Sequence, residues 1–148
     1  MVAETSGGAV VVVYSGEVYN FAELRTELRA RGHRFRSRSD TEVVLRGYLE
    51  WGNSVAQRLT GMWAFAIWDA RDQRLRLMRD PLGIKPLYLM PTRDGVLFGS
   101  EPKAVLGVGI HLSNPFAAVP GHRRAGRYRC HYRQNALEVV HVGDIRAA

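Results

Sequence analysis

Two apolar segments, Ala9–Tyr14 and Met62–Asp69, direct this chain toward a fold built on a central β-sheet. The first is almost entirely β-branched, which predicts a strand buried on both faces and ended by Ser15-Gly16. The second is apolar almost throughout and predicts a central strand. The alternating segment Gln73–Met78 predicts its antiparallel partner, reached through a hairpin turn.

Two helices are indicated by residue pairs typical of helix starts. Asn20 is followed three residues later by Glu23, and Ser39 is followed at the same spacing by Glu42. Each pair matches the capping box, in which two side chains satisfy free backbone N–H groups. Apolar residues at helical spacing follow both starts, and the two helices are predicted to end at Gly32 and Gly52.

Shorter elements complete the pattern. Ser54–Leu59 predicts a short helix and Pro102–Leu106 a helical turn. Leu87–Met90 and Val96–Gly99 flank a turn that contains Asp-Gly, which favours a second hairpin. Antiparallel strands with helices grouped early in the chain predict an α+β layered domain.

Composition excludes several classes of protein. The chain has 148 residues, one cysteine and a net charge of +7. No apolar segment approaches the ~20 residues of a membrane span. A single cysteine excludes an internal disulfide framework and a zinc site of several thiolates, and no metal site is predicted. Because the first residues lack the basic region of a secretory signal, we expect a cytoplasmic protein without membrane contact.

Several motifs resemble, in order and spacing, the glutaminase domain of asparagine synthetases over roughly residues 10–107. Tyr14–Phe21 is similar to that family's Asn-Gly-Glu-Ile-Tyr-Asn segment. The other similar segments are Glu23–Arg25, Gly32–Phe35, Ser39–Val43, Leu59–Asp69, Arg79–Tyr88 and Phe98–Ala104.

The resemblance implies a class II glutamine amidotransferase domain of the N-terminal-nucleophile hydrolase type, here an incomplete αββα four-layer sandwich of antiparallel sheets with a C-terminal β-hairpin. In that family the domain hydrolyses glutamine, and the ammonia passes to a separate synthetase domain that activates aspartate with ATP. ATP and magnesium would belong to that synthetase domain, so no cofactor is expected for these residues.

The resemblance also assigns site residues by position. Ser15 and Gly16 occupy the oxyanion-hole positions, with Gly16 donating its backbone N–H and Ser15 replacing the family's longer asparagine. Glu17 and Asp40 occupy the positions that bind the α-ammonium group of glutamine. Structural alternatives are a simple turn at Gly16, an ion pair with an arginine at Glu17 and a helix-cap role at Asp40.

The family's catalytic nucleophile has no counterpart here. It is an N-terminal cysteine, whereas this sequence begins Met1-Val2-Ala3 and has no cysteine before Cys130. No catalytic residue is therefore assigned, and we expect the chain to lack glutaminase activity. The absence of the family's preceding strand predicts an unpaired sheet edge near Ala9–Tyr14, through which the chain would dimerise or associate.

The last 36 residues carry six arginines against two acidic residues. They predict a hairpin of Gly126–Tyr132 and Ala136–Val142, which resembles the last two strands of the RelE/ParE toxin family. The resemblance makes Arg127, Arg129 and Arg146 candidates for RNA contact; a solvated sheet face is the alternative. A hairpin of this origin would dock poorly on the rest of the domain.

These observations divide the chain into four parts: an N-terminal extension (1–9), an amidotransferase-type domain without its nucleophile segment (10–107), a linker (108–125) and a basic β-hairpin tail (126–148). The favoured function is that of an inactive glutaminase fragment of a glutamine-hydrolysing asparagine synthetase. The alternatives are a non-catalytic module that binds glutamine or docks on a partner, and an RNA-binding toxin remnant that acts through the tail.

Overall fold

The computed structural model of the protein describes residues 1–91, 96–106, 124–125, 128–133 and 136–141. The strands are β1 (Val2–Thr5), β2 (Gly8–Val18), β3 (Gly61–Asp69), β4 (Arg74–Arg79), β5 (Tyr88–Pro91), β6 (Val96–Gly99), β7 (Arg124–Ala125), β8 (Tyr128–Arg133) and β9 (Ala136–His141). The helices are α1 (Phe21–Ala30), α2 (Asp40–Trp51), α3 (Val55–Arg58) and α4 (Pro102–Leu106), with a 3₁₀ turn at Gly52–Ser54. No helix in these residues is long and apolar enough to cross a membrane.

The strands form two antiparallel sheets. The large sheet has the order β1-β2-β3-β4-β9-β8-β7, and β5 pairs with β6 in a small sheet. The predicted hairpins of Gln73–Met78 with β3 and of β5 with β6 are both present. The register of β2 on β3 places Tyr14 opposite Phe65 and Gly16 opposite Trp63.

The elements stack in four layers. Helices α1 and α2 cover one face of the large sheet over the main core. On the opposite face, Ala66 and Leu77 pack against Leu87, Leu89 and Val96 of the small-sheet region. Helix α4 packs against β5 and β6. This arrangement confirms the predicted incomplete αββα sandwich. The main core includes Val10, Val12, Val18, Leu28, Val43, Val44, Tyr48, Trp63, Phe65 and Ile67.

Strand β2 differs from its prediction in two respects. It continues through Ser15-Gly16 to Val18, and only its helix-facing side is buried, since Val13 on the other side is 62% exposed. Gly16 is a strand residue at φ +144°, and a Cβ built there would lie 2.2 Å from the carbonyl oxygen of Met62. The glycine therefore does not end the strand; it permits the close approach of β2 to β3.

One of the two predicted helix caps is wrong. Ser39 caps α2, because its hydroxyl accepts a hydrogen bond from the Glu42 N–H at 3.3 Å. Asn20 makes no side-chain cap on α1. Its amide instead donates to the Arg58 carbonyl at 2.9 Å and accepts from the Thr60 N–H at 2.9 Å. A contact between distant segments thus replaces the local one.

The predicted open edge is largely covered. β1 pairs with Gly8–Val11, and the Met1 amine donates to the Val12 carbonyl at 2.7 Å. The expectation of an unpaired edge along Ala9–Tyr14 is therefore wrong for most of that segment. Strand β1 achieves this by folding back on β2 as a hairpin.

The C-terminal hairpin is present as β8 and β9, close to its predicted bounds. Its expected poor docking is contradicted, because β9 pairs with β4 and places Leu137 opposite Leu77. Without β9, the edge of β4 would be unpaired. Any regular strand can continue the hydrogen-bond ladder at such an edge, whatever the origin of that strand. Of the predicted linker, residues 108–125, only Arg124–Ala125 of β7 lies within the described residues.

Candidate functional site

Asp40, the first residue of α2, joins that helix to the end of β2. Its carboxylate oxygen Oδ2 accepts a hydrogen bond from the Tyr14 hydroxyl at 2.7 Å and another from the Val18 N–H at 3.1 Å. The side chain is half-buried. Ser39 performs the cap role that was the structural alternative for Asp40, which leaves the Asp40 carboxylate directed at the strand.

The groups that hold Asp40 are electrically neutral. A phenol and a backbone amide donate to it, and no described cation forms an ion pair with it. Burial, then the hydrogen bond to Asp40, then the charges of Asp40 and Glu17 hold the pKa of Tyr14 well above its ordinary value. Both carboxylates thus act on the same phenol, which places two negative charges near this end of β2.

The outer edge of β2 provides backbone donors beside these acids. Val12 N–H binds the Met1 carbonyl and Val18 N–H binds Asp40, so the even-numbered residues direct their N–H groups away from β3. By this alternation the Gly16 N–H points to the same edge. Since β1 begins at Val2, opposite Val11, no described strand pairs with β2 at Gly16.

Ser15 and Glu17 occupy the odd positions and lie exposed on the opposite face of β2. Within the described part of the chain neither side chain has a hydrogen bond or ion pair, so the arginine partner considered for Glu17 is not found there. The fold therefore brings all four predicted residues to one end of β2, with the Gly16 N–H at its edge and the Asp40 carboxylate reaching it from α2. Their roles in binding and catalysis stay predictions.

The loop before Asp40 is held by a residue that sequence analysis assigned only to a cap. The buried Glu42 carboxylate accepts hydrogen bonds from the N–H of Arg36 and from the N–H and hydroxyl of Ser37, at 2.6 to 3.1 Å. Burial alone would raise the pKa of Glu42, but these bonds and the charge of Arg46 hold it below its ordinary value.

Arg25 fixes the same loop from α1. Its guanidinium donates to the carbonyls of Ser37 at 2.7 Å and Ser39 at 3.0 Å. The sequence did carry a signal for this residue, since Arg25 lies beside Leu24 on the apolar side of a helix, where a charged side chain needs partners. No comparable signal linked Tyr14 with Asp40, which are 26 residues apart.

Cys130 lies far from this site. Its strand β8 is four strands from β2, or about 19 Å across the sheet. The register runs from Cys130 through Val139, Leu75 and Trp68 to Val11, and Gly16 is about 17 Å farther along β2.

Of the candidate RNA-contacting residues, Arg129 lies on β8, paired with Val140. Arg127 and Arg146 lie outside the described residues. No His, Cys, Asp and Glu side chains of the described segments form a cluster of three or more that could hold a metal ion.

Comparison with known proteins supports the fold and the origin of the motifs. Asparagine synthetase [glutamine-hydrolyzing] 3 of Bacillus subtilis is 45% identical over 106 residues, which cover 72% of this chain and 17% of that protein. A putative asparagine synthetase [glutamine-hydrolyzing] of Mycobacterium tuberculosis is 47% identical over 97 residues, covering 65% and 15% respectively. The chain thus spans about a sixth of the length of these curated relatives.

Two solved structures share the fold at low sequence identity. One is the glutamine phosphoribosylpyrophosphate amidotransferase of B. subtilis in complex with ADP and GMP, with a TM-score of 0.64 and 19% identity over 97% of this chain and 31% of that one. The other is an allosteric regulatory enzyme of purine biosynthesis, with a TM-score of 0.68 and 20% identity over 97% and 30%. The family described as the glutamine amidotransferase domain matches residues 1–117. The chain belongs to that family.

Proposed function

We propose that this chain is the glutaminase-type domain of an asparagine-synthetase-like protein, and that it recognises glutamine through the α-ammonium group. The observation that carries the proposal is the Asp40 carboxylate, held at the edge of β2 by neutral donors only among the described residues. A carboxylate whose charge is not cancelled by a protein cation attracts a cationic group of a ligand, and charge-assisted hydrogen bonds are the strong ones.

The spacing of groups on β2 suits a ligand of this kind. Val18, which fixes Asp40, is two residues from Gly16, or about 6.7 Å along the strand. An ammonium group at Asp40 and a carbonyl group at the Gly16 N–H would therefore lie at opposite ends of one small molecule. Glu17, on the opposite face of β2, adds a second negative charge near this end of the strand, and Ser15 is the remaining candidate donor to an oxyanion.

Hydrolysis needs a nucleophile, and no cysteine of the described residues lies at the site. The sole cysteine, Cys130, lies about 19 Å across the sheet and about 17 Å along it from Gly16. A nucleophile must approach within about 3–3.5 Å of the atom it attacks. We therefore propose that the 148-residue chain by itself binds glutamine without hydrolysing it.

Both named asparagine synthetase relatives are glutamine-hydrolysing. We propose that ammonia transfer and the ATP- and magnesium-dependent chemistry reside in parts of those longer proteins that this chain does not span, so the chain needs no cofactor to bind glutamine.

Titration calorimetry with L-glutamine tests the proposal. The wild-type chain should bind, and Asp40→Asn should lower the affinity at least tenfold, because a charge-assisted hydrogen bond to the ammonium is lost. Asp72→Asn is the matched control, since Asp72 is an acidic residue in the turn at the other end of β3. Equal binding by wild type and Asp40→Asn, or no binding by the wild type, would refute the proposal.

A glutamate-release assay tests the second part. We expect no release above the uncatalysed rate. Release that Cys130→Ala abolishes would show that the cysteine reaches the site and that the sheet order described above is wrong.

A further inference from the structure

We propose that Tyr14 is the positioning residue of the glutamine site, orienting the Asp40 carboxylate so that its second oxygen faces the ligand ammonium. The inference rests on the proposed function and adds a determinant of ligand selectivity to it. Tyr14 itself does not touch the ligand in this arrangement; it acts through Asp40.

The geometry for this role is the convergence of two donors on one oxygen. The Tyr14 hydroxyl and the Val18 N–H both donate to Oδ2 of Asp40, at 2.7 and 3.1 Å. Oδ1 has no hydrogen bond from any described residue. With two donors on Oδ2, the carboxylate cannot rotate without breaking both bonds, so Oδ1 keeps a fixed direction.

A tyrosine is suited to this task because it orients the carboxylate without neutralising it. An arginine or lysine in its place would form an ion pair and reduce the attraction for a ligand cation. The phenol remains protonated at neutral pH, since burial and the neighbouring carboxylates raise its pKa. At neutral pH the Tyr14 hydroxyl therefore stays a hydrogen-bond donor to Asp40.

The same strand carries the other fixed groups. Tyr14, Gly16 and Val18 are alternate residues of β2, and their shared register on β3 holds them relative to one another. Asp40 arrives from a separate element, α2, so the Tyr14 bond is the side-chain contact that ties the acid to the strand bearing the Gly16 N–H. Loss of this bond should leave the fold intact but allow the Asp40 carboxylate to rotate.

Tyr14→Phe tests the proposal, and Tyr48→Phe is its matched control. The Tyr48 hydroxyl donates to Oδ2 of Asp69 at 2.8 Å, so both substitutions remove one phenol-to-aspartate hydrogen bond. Asp69 lies opposite Val10, toward the other end of β2, away from Gly16. The probes are L-glutamine and its analogue lacking the α-amino group, measured by titration calorimetry.

We expect Tyr14→Phe to weaken L-glutamine binding about tenfold and to leave the binding of the deaminated analogue unchanged, whereas Tyr48→Phe changes neither. In ¹⁵N spectra without ligand, the Val18 amide resonance should shift in Tyr14→Phe and stay in place in Tyr48→Phe. Unchanged glutamine affinity in Tyr14→Phe, or equal losses in the two variants or for the two probes, would overturn the positioning role.

The two proposals fail in different ways. If the wild type does not bind L-glutamine, the proposed function is wrong, and the selectivity role of Tyr14 falls with it. In that case an unchanged Val18 resonance in Tyr14→Phe would show in addition that Tyr14 does not control Asp40. If the wild type binds and discriminates by the α-amino group while Tyr14→Phe does the same, only the role of Tyr14 is wrong.

Discussion

Replacement of Gly16 by alanine should strongly destabilise the protein, because two penalties coincide there. Gly16 has φ +144°, and an added Cβ would lie 2.2 Å from the Met62 carbonyl oxygen and 2.6 Å from the Trp63 Cα. Ordinary van der Waals contacts are 3.4 to 4 Å. Since both atoms belong to the β3 backbone, β2 must move by more than 1 Å, a displacement that no side-chain rotation can avoid.

The magnitude follows from the two terms. Holding a non-glycine residue in this sparsely populated backbone region costs about 1–3 kcal/mol. Forcing a backbone shift in a packed core costs about 1–3 kcal/mol more, which gives a total of about 2–6 kcal/mol. Domains of this kind have total free energies of unfolding of about 5–15 kcal/mol. The variant should therefore lose a large fraction of its stability.

Gly32→Ala is the control that separates the terms. Gly32 also has a positive φ, +94°, but an added Cβ would meet nothing within 4 Å. The free energy of unfolding of Gly32→Ala should fall only by the cost of the positive φ, about 1–3 kcal/mol. Urea unfolding followed by circular dichroism gives both values. A Gly16→Ala loss equal to or smaller than that of Gly32→Ala would refute the close approach of β2 to β3 as the reason for the glycine.

Two further predictions concern stability and association. The hydrogen bonds from Arg71, opposed by burial and aided by Tyr48, lower the pKa of the buried Asp69 to about 2. Because the folded-state pKa is depressed, ionised Asp69 should stabilise the protein by about 2 kcal/mol above pH 4, and this contribution is lost as the pH falls through 2. Thermal denaturation at a series of pH values should show stability falling over this range, and Asp69→Asn should reduce that pH dependence. Truncation after Leu106 removes β9 from β4 and leaves an open edge on the large sheet. Size-exclusion chromatography should show association of the truncated chain, and a stable monomer would contradict the β4–β9 pairing.

The sequence was most informative where a residue's neighbours along the chain also decide its structure. Alternation and apolar runs predicted β3 and β4, the Asp-Gly turn predicted the hairpin of β5 and β6, and Ser39 predicted the start of α2. These signals depend on side-chain period and local hydrogen bonds, which any short segment carries with it. The motifs around Gly16 and Asp40 likewise indicated the glutamine amidotransferase family.

Local rules failed where a distant segment supplied a better partner. Asn20 has the sequence of a helix cap, but its side-chain amide forms hydrogen bonds with the backbone of Arg58 and Thr60 instead. Ser15-Gly16 has the sequence of a turn, but pairing with β3 keeps it extended. The C-terminal hairpin was predicted as a separate unit, but the free edge of β4 accepts β9. In each case hydrogen bonds between segments that are remote in sequence outweigh the local preference.

The sequence alone thus predicted most of the elements and their order, though not β1, and named the acidic and glycine residues of the candidate site. Only the tertiary structure decided how those residues cooperate. It brings the Tyr14 hydroxyl to Asp40 across 26 residues, directs the Gly16 N–H to the open edge of β2, and separates Cys130 from both by the width of three intervening strands. The physical reason is that a binding site depends on distances between elements, and those distances are set by sheet order, register and packing rather than by the pattern within any one segment.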